Sequence, residues 1–319
     1  MKCFLRQIMY FTSHLTPYTS HFTLQKVPTI SNHISAKIPL KFVLWGFLRL
    51  VRAGNLLIMV ITQYFAKIML LNYTKEAFSI DFDFILLMFS TICVGAAGYI
   101  INDYYDMKID IINKPKKMVI GRILRRRTAI IWNISFNFLG LLSAFFLGKT
   151  IFLFVFFTIF FLWLYSNKLK RTAFLGNFVV AALSASGLLI VGVFEEIYSL
   201  EIWFYVVFAF LVSLVREIIK DIEDMKGDKN VGANTLPIAL GIPKTRTFLY
   251  MIISLFVVGI VVGFFFFSKW RIVFLLAVNL PLLVWLIANL RRADKKKDFS
   301  QMSFICKIMM VFGVFSMLL

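Results

Sequence analysis

The sequence NDYYDMKID, residues 102–110, follows directly on a long apolar run and carries three aspartates. Asp103, Asp106 and Asp110 are spaced i, i+3 and i+7, so a helix would place their side chains on one face. A second stretch repeats this spacing with Asp221, Asp224 and Asp228. The chain has only 16 acidic residues, and eight of them lie in or beside these two stretches: the six aspartates, Glu217 and Glu223. The pattern predicts two acidic helix faces with a shared role.

The composition is that of a membrane protein. Hydrophobic residues make up 60% of the 319 residues and charged residues only 16%, whereas soluble domains usually have about 25% charged residues. The net charge of +19 fits basic loops beside anionic lipid, and no basic soluble domain is present that would bind nucleic acid. The three cysteines show no ligand spacing, and all three histidines lie in the first forty residues. A disulfide framework, a zinc site and histidine chemistry are therefore not indicated.

Nine apolar runs have lengths near the roughly 20 residues that span a bilayer. They cover residues 43–66, 84–101, 128–147, 150–166, 174–194, 200–219, 247–267, 271–290 and 304–319. We therefore predict an all-α bundle of nine transmembrane helices around a central cavity, within a domain of residues 41–319. Residues 1–40 are polar, contain no acidic residue and lack the apolar core of a signal peptide, so we predict a disordered or surface-lying cytoplasmic tail.

Basic residues are concentrated on one side of this predicted topology. With the N-terminus in the cytoplasm, the outer loops hold only five of those that follow the tail: Lys67, Lys75, Lys149, Lys269 and Arg271. The inner loops hold most of the others, which follows the positive-inside rule. This predicts an integral protein of the cytoplasmic (inner) membrane, with both aspartate stretches on the cytoplasmic side.

The aspartate stretches predict a site for metal and phosphate. Three carboxylates on one face repel one another unless a cation lies among them. Mg²⁺ prefers oxygen ligands, binds one or two carboxylates and leaves room for phosphate oxygens. Two opposed faces, each holding one Mg²⁺, would suit a bridging diphosphate with a lipid tail. Basic residues near the two stretches fit such a polyanion: Lys114, Lys116, Lys117, Arg122, Lys168, Lys170, Arg216, Lys220 and Lys226.

A secondary transporter is the alternative from another functional class, because intramembrane acids also carry protons or cations. Transporter acids lie near the bilayer midplane. The aspartates in this chain lie at predicted helix ends beside basic loops, which favours an enzyme.

Several segments resemble motifs of the UbiA superfamily of intramembrane prenyltransferases. Residues 102–110 resemble its first aspartate-rich motif, residues 221–228 its second and residues 232–237 the segment that follows. Tyr165-Ser166, with Lys168, Lys170 and Gly176-Asn177, resembles a further motif in the third inner loop. Arg52 and Asn55 match the family's Arg-x-x-Asn region. Residues 216–224 are most similar to members that prenylate geranylgeranylglycerol phosphate.

The resemblance implies Mg²⁺-dependent transfer of a polyprenyl group of geranylgeranyl type from its diphosphate to a lipid acceptor such as geranylgeranylglycerol phosphate. An aromatic acceptor of quinone synthesis is the alternative. The six aspartates are the candidate metal ligands, and four are the candidate catalytic residues: Asp103, Asp106, Asp221 and Asp224. Candidate substrate-binding residues are Asn102, Arg52, Asn55, Lys114, Lys117, Arg122, Tyr165, Lys168 and Lys220.

The segment after the first motif departs from the family. Members commonly have Asn-Arg-Pro-x-Arg followed by a Pro-Ser-Gly turn, whereas this chain has NKPKK at residues 113–117 and Val-Ile-Gly at 119–121. Lysine keeps the charge of arginine but not its two-pronged recognition of phosphate. Diphosphate binding is still expected, but the acceptor in this chain could differ from that of the family members with arginine at these positions.

Overall fold

The computed structural model describes residues 40–71, 74, 81–113, 115, 118–266 and 269–319. Within these ranges the chain forms ten α-helices and one 3₁₀ turn, Leu169–Arg171, so the all-α prediction is confirmed. The helices are α1 Leu40–Leu50, α2 Ala53–Leu70, α3 Phe82–Asn113, α4 Arg126–Phe146, α5 Lys149–Asn167, α6 Leu175–Phe194, α7 Leu200–Asn230, α8 Leu236–Phe266, α9 Lys269–Arg292 and α10 Lys296–Ser316.

The helices have the apolar outer surface of an integral membrane protein. Among the described residues, the nine helices α2 to α10 are long and apolar enough to cross a bilayer. Large apolar side chains point outward, such as Phe138 and Phe146 on α4, which are 63% and 70% exposed. Exposed apolar surface on this scale suits lipid rather than water. The number of spans matches the prediction.

The first predicted span is wrong in its limits. Residues 43–66 were expected to form one run, but the chain breaks at Arg52 into α1 and α2. Arg52 has φ 51° and ψ 53°, a left-handed backbone conformation that costs a residue other than glycine about 1 kcal/mol. The apolar pattern runs through the break unchanged, so hydropathy alone does not reveal it. Arg52 therefore lies just outside the span.

Other helices extend beyond their apolar runs. The helices α3 and α7 continue through both aspartate stretches as far as Asn113 and Asn230. The helix of the seventh predicted span, α8, begins at Leu236 rather than at residue 247 and is kinked at Gly241, whose φ is 79°. The last begins at Lys296 rather than at residue 304, because Asp298 accepts a hydrogen bond from the Lys295 N–H at its start. Helical hydrogen bonding does not end where hydropathy does.

The core lies along α3 and α7. The helix α3 packs along α4, and α7 lies against α6, α8 and α10. One cluster of buried side chains joins α7 to α10 and includes Ile218 and Leu286. A second joins α2 to α6 with the start of α7. A third packs Leu50 of α1 against Ile100 of α3. The two helices that carry the aspartates thus pack against more of the bundle than the other helices do.

A buried lysine ties the helices together at the end of the bundle away from the aspartates. Lys67, near the end of α2, is 3.4 Å from Asp81 and 3.9 Å from Glu195, and its ammonium lies over the ring of Phe84. Burial raises the pKa of the Glu195 carboxyl, although Lys67 opposes this shift. These contacts link α2 to the start of α3 and the end of α6.

Candidate functional site

The last turns of α3 and α7 meet at one end of the bundle. The side-chain amide of Asn113 donates a hydrogen bond of 3.2 Å to the backbone oxygen of Asp224. The helices approach so closely that a Cβ on Gly227 would fall onto the Asn113 amide. Glycine at this position therefore lets the two aspartate stretches lie side by side.

Arginine and tyrosine surround the first aspartate of α3. Arg52 Nη2 donates to Asp103 Oδ1 at 3.1 Å, and its guanidinium lies 4.6 Å from the ring centre of Tyr99. The Asn55 amide donates to the hydroxyl of Tyr99 at 3.3 Å. The break between α1 and α2 turns Arg52 towards α3, so the strained backbone at Arg52 coincides with its contact to Asp103.

Lys170 from the 3₁₀ turn contacts the next acidic residue. Its ammonium pairs with Asp106 and donates to Asn102 Oδ1 at 3.1 Å, while Asn102 Nδ2 donates to Asp106 Oδ2 at 3.0 Å. Burial lowers the pKa of Lys170, but the Asp106 carboxylate outweighs this effect and holds that pKa well above its ordinary value. Lys170 is therefore a permanent positive charge against α3.

A glycine lets this turn pack onto α6. A Cβ on Gly176 would lie 2.5 Å from the Leu169 carbonyl oxygen and 3.1 Å from the Cα of Lys170. The 3₁₀ turn can therefore lie directly on the first turn of α6, where the buried Asn177 points towards α7. The glycine sets the position of the backbone from which Lys170 reaches α3.

The aspartates of α7 have different partners. Asn177 Nδ2 donates to Asp221 Oδ2 at 2.7 Å. Lys296 Nζ, from the start of α10, lies 3.5 Å from Asp224 Oδ1. Asp228 is only 8% exposed, and its backbone oxygen accepts the N–H of Ala233 at 3.0 Å, which helps to end the helix. The second acidic stretch thus receives side chains from α6 and α10.

Charges from the two helices act on the same arginine. Burial lowers the pKa of Arg52, but Asp103 and Tyr99 of α3 together with Glu217 of α7 raise it above its ordinary value. Glu217 is also paired with its neighbour Arg216. Arg52 therefore lies within the electrostatic field of both acidic helices.

The residues of this site fit Mg²⁺. Among the described residues, no three carboxylate, histidine or cysteine side chains converge into a metal cage. Mg²⁺ does not need one, because it is usually held by one or two carboxylates plus water and phosphate oxygens. The donors here are all oxygens, and the buried Asn177 Oδ1 has no hydrogen-bond partner among the described residues. Asp103 with Asp106, and Asp221 with Asp224, are the pairs that would hold the ion.

The other candidate residues occupy varied positions. Lys114 and Lys117 lie outside the described residues. Arg122 is exposed and donates to the Pro115 carbonyl at 3.1 Å, and Lys168 is also exposed. Tyr165 is buried beside Lys170. Asp110 and Lys220 are half-buried on the aspartate-bearing helices.

Three residues with contacts in the site were not among the candidate substrate-binding residues. Lys170 and Asn177 belong to a segment with a recognisable resemblance, but Lys168 was the lysine selected from it; the sequence does not distinguish two lysines that are only two positions apart. Lys296 lies among several loop lysines whose presence topology alone explains. No sequence signal separates it from its neighbours, since its partner Asp224 is far away in the chain.

Two residues of the segment that departs from the family pattern, Val119 and Ile120, belong to the core. Val119 and Ile120 are 4% and 2% exposed, and they pack with Leu50 of α1. The Val119 carbonyl accepts backbone N–H groups from Ile123 and Leu124, and Gly121 has φ 88°. The turn is therefore closed by apolar packing and backbone hydrogen bonds.

Comparison with known proteins explains this arrangement. The sequence model of the UbiA prenyltransferase family matches residues 40–309. The chain belongs to the UbiA prenyltransferase family. This confirms the resemblance deduced from the motifs, and the UbiA family consists of enzymes that transfer prenyl groups.

Individual UbiA relatives agree in fold. The digeranylgeranylglyceryl phosphate synthase of Pyrococcus horikoshii is 40% identical over 166 residues, which is 50% of this chain and 58% of that protein. A solved digeranylgeranylglyceryl phosphate synthase is 29% identical with a TM-score of 0.65, covering 86% of this chain and 97% of the other. A UbiA homologue from Archaeoglobus fulgidus, bound to GPP and Mg²⁺, has 16% identity and a TM-score of 0.61, covering 86% and 100%.

Proposed function

We propose that this protein transfers a geranylgeranyl-type group from its diphosphate to geranylgeranylglyceryl phosphate in the presence of Mg²⁺. The observation that carries the proposal is the meeting of two aspartate groups at one end of the bundle, with Arg52 and Lys170 paired with the carboxylates of α3. The names of the synthase relatives support the acceptor. The homologue bound to GPP and Mg²⁺ supports the type of donor and the metal.

The residues of the site suit the departure of a diphosphate. Arg52 and Lys170 would bind its oxygens while the bond from C1 of the prenyl chain breaks and the electron pair leaves with the diphosphate. The acceptor hydroxyl oxygen then forms the new bond to C1, and its proton passes to diphosphate or water. Mg²⁺, bound by the aspartate pairs, would supply charge stabilisation to the leaving group.

Apolar side chains below the aspartates would protect the reactive carbon. Ile100 on α3 and Ile218 on α7 are fully buried about one turn below the acidic residues. Such packing excludes water, which would otherwise compete with the acceptor hydroxyl for C1. The aspartates themselves lie near helix ends, since Asp110 and Asp228 precede the ends of α3 and α7 by three and two residues. This depth disfavours a transporter with a midplane site.

We further propose that the aspartate end faces the cytoplasm of the inner membrane. The loops at this end connect α3 to α4, α5 to α6, α7 to α8 and α9 to α10, and these loops together with the helix ends that flank them carry most of the basic residues after the tail. The positive-inside rule then assigns this end to the cytoplasm.

The first prediction concerns the acidic pairs. Asp103→Asn and Asp221→Asn should each lower Mg²⁺-dependent prenyl transfer at least about 100-fold, because each removes a carboxylate that stabilises the leaving-group complex. The measurement is product formation by purified protein from geranylgeranyl diphosphate and geranylgeranylglyceryl phosphate, with Mg²⁺ or with EDTA.

Asp83→Asn, an exposed position at the opposite end of α3, is the matched control and should retain wild-type activity. Full activity in both site variants would contradict the assigned carboxylates. Transfer to an aromatic acceptor in preference to the glyceryl phosphate would instead overturn the assigned acceptor.

A further inference from the structure

Lys296 brings a positive charge from the far end of the chain to the second aspartate group. Its Nζ lies 3.5 Å from Asp224 Oδ1 and donates to the Asn113 carbonyl at 3.3 Å. The Lys296 side chain is 49% exposed, whereas that of Asp224 is 16% exposed. An ammonium has three donors, so Lys296 keeps bonding capacity towards the open side of the site.

The connection that carries Lys296 is firmly held. Only residues 293–295 separate α9 from α10. Arg246 of α8 donates to the Ala293 carbonyl and lies 3.3 Å from Asp294 Oδ1. Asp298 caps the start of α10 by accepting the Lys295 N–H at 3.1 Å. The backbone below Lys296 is thus anchored to α8, and its position does not depend on a free loop.

Different cations contact the aspartates of the two helices directly. Arg52 and Lys170 contact the aspartates of α3, which leaves them suited to the diphosphate of the donor. Lys296 approaches from α10 against the α7 side, with the exposed Arg291 and Arg292 at the end of α9 adding positive potential. An acceptor that itself carries a phosphate needs a cation distinct from those on the donor, since two phosphate groups in one site repel each other.

We propose that Lys296 binds the phosphate of the acceptor and so selects phosphorylated glycerol lipids over neutral ones. This rests on the proposed function. Lysine suits the task because it is a point charge that can turn between the Asn113 carbonyl and a phosphate oxygen. Lys296 thereby contributes to specificity through the acceptor, while the donor is held from α3.

The test compares Lys296→Gln with the control Lys297→Gln, a neighbouring exposed lysine. Lys296→Gln should raise KM for geranylgeranylglyceryl phosphate about tenfold or more, the effect of losing one hydrogen bond to a charged group. KM for geranylgeranyl diphosphate should change less than about twofold. Lys296→Arg should restore most of the affinity, and Lys297→Gln should behave as wild type.

A binding measurement provides a readout independent of turnover. In the absence of Mg²⁺ and donor, the phosphorylated acceptor should bind wild type more tightly than its dephosphorylated form in calorimetric titration, and Lys296→Gln should remove the preference. An unchanged preference in Lys296→Gln would overturn the proposal, as would a rise confined to the donor KM. An effect seen only in vesicles rich in phosphatidylglycerol would assign Lys296 to lipid headgroups and likewise overturn it.

The failure of this inference differs from failure of the proposed function. If wild type does not use geranylgeranylglyceryl phosphate at all, the function is wrong. If wild type uses it and Lys296→Gln does so equally well, only the role of Lys296 is wrong.

Discussion

At the level of single residues, the ion pair between Arg52 and Asp103 adds little to the stability of the fold. The side chains of Arg52 and Asp103 are 37% and 26% exposed, and such pairs contribute roughly 1 kcal/mol or less to stability. That gain hardly exceeds the cost of the left-handed backbone at Arg52. The left-handed conformation of Arg52 is therefore explained by the position it gives the guanidinium, against Asp103, and not by a gain in stability.

The second prediction separates two lysines of one loop. Lys170→Gln should lower kcat/KM about 100-fold, because it removes a charge that contacts Asp106 and Asn102, whereas Lys168→Gln should lower it less than about threefold. Steady-state kinetics with both variants measures the difference. A larger loss in Lys168→Gln would favour the choice made from sequence, and would mean that the loop rearranges on binding substrate.

At the level of secondary-structure elements, close packing positions the end of the bundle that carries the aspartates. The sequence predicts that the acidic residues lie on helices, and they do. It does not reveal that the 3₁₀ turn lies on α6 through Gly176 or that α3 meets α7 at Gly227. Glycine is compatible with many local structures, so its role in a close contact becomes visible only when the opposing backbone is known.

The third prediction tests this packing. In Gly176→Ala the new Cβ must displace the Leu169 carbonyl, so we expect kcat/KM to fall about tenfold or more as Lys170 moves. Gly259→Ala in α8 is the control, because among the described residues no atom outside the neighbouring helix backbone lies within 4 Å of its Cβ position. It should stabilise the helix by up to about 1 kcal/mol without loss of activity.

A double variant tests whether Gly176→Ala lowers kcat/KM by displacing Lys170. When Lys170 is already glutamine, adding Gly176→Ala should cause little further loss of kcat/KM, since both changes act through the same contact. Full additivity of the two losses would show that Gly176 acts through something other than Lys170. Thermal unfolding of each variant in detergent separates these losses from a general loss of stability.

At the level of the whole molecule, nine spans place most of the basic residues after the tail at the same end as the aspartates. The fourth prediction concerns this orientation. A cysteine replacing Tyr198, which is 56% exposed at the opposite end, should react with a membrane-impermeant maleimide in intact cells, whereas one replacing Lys297 should react only in inverted vesicles. The buried Cys93 and Cys306 can remain, so only Cys3 needs replacement. The reverse labelling pattern would contradict the proposed orientation.

Residues 1–40, predicted to form a tail, lie almost entirely outside the described residues, so their conformation and role remain predictions. The six-aspartate ligand set is also still a prediction, although four of its members have defined partners here: Asp103, Asp106, Asp221 and Asp224.

The sequence by itself determined the membrane class, the number of spans, the helical character of both acidic stretches and their location at one end. These follow from hydropathy, charge and helical period, which are local properties. Only the tertiary structure decided the break at Arg52, the choice of Lys170 over Lys168 and the approach of Lys296 to Asp224. Each depends on helix rotation and close packing between residues distant in the chain. For residues 102–110, the spacing of the aspartates predicts an acidic helix face. The tertiary structure shows which basic residues contact this face, namely Arg52 and Lys170.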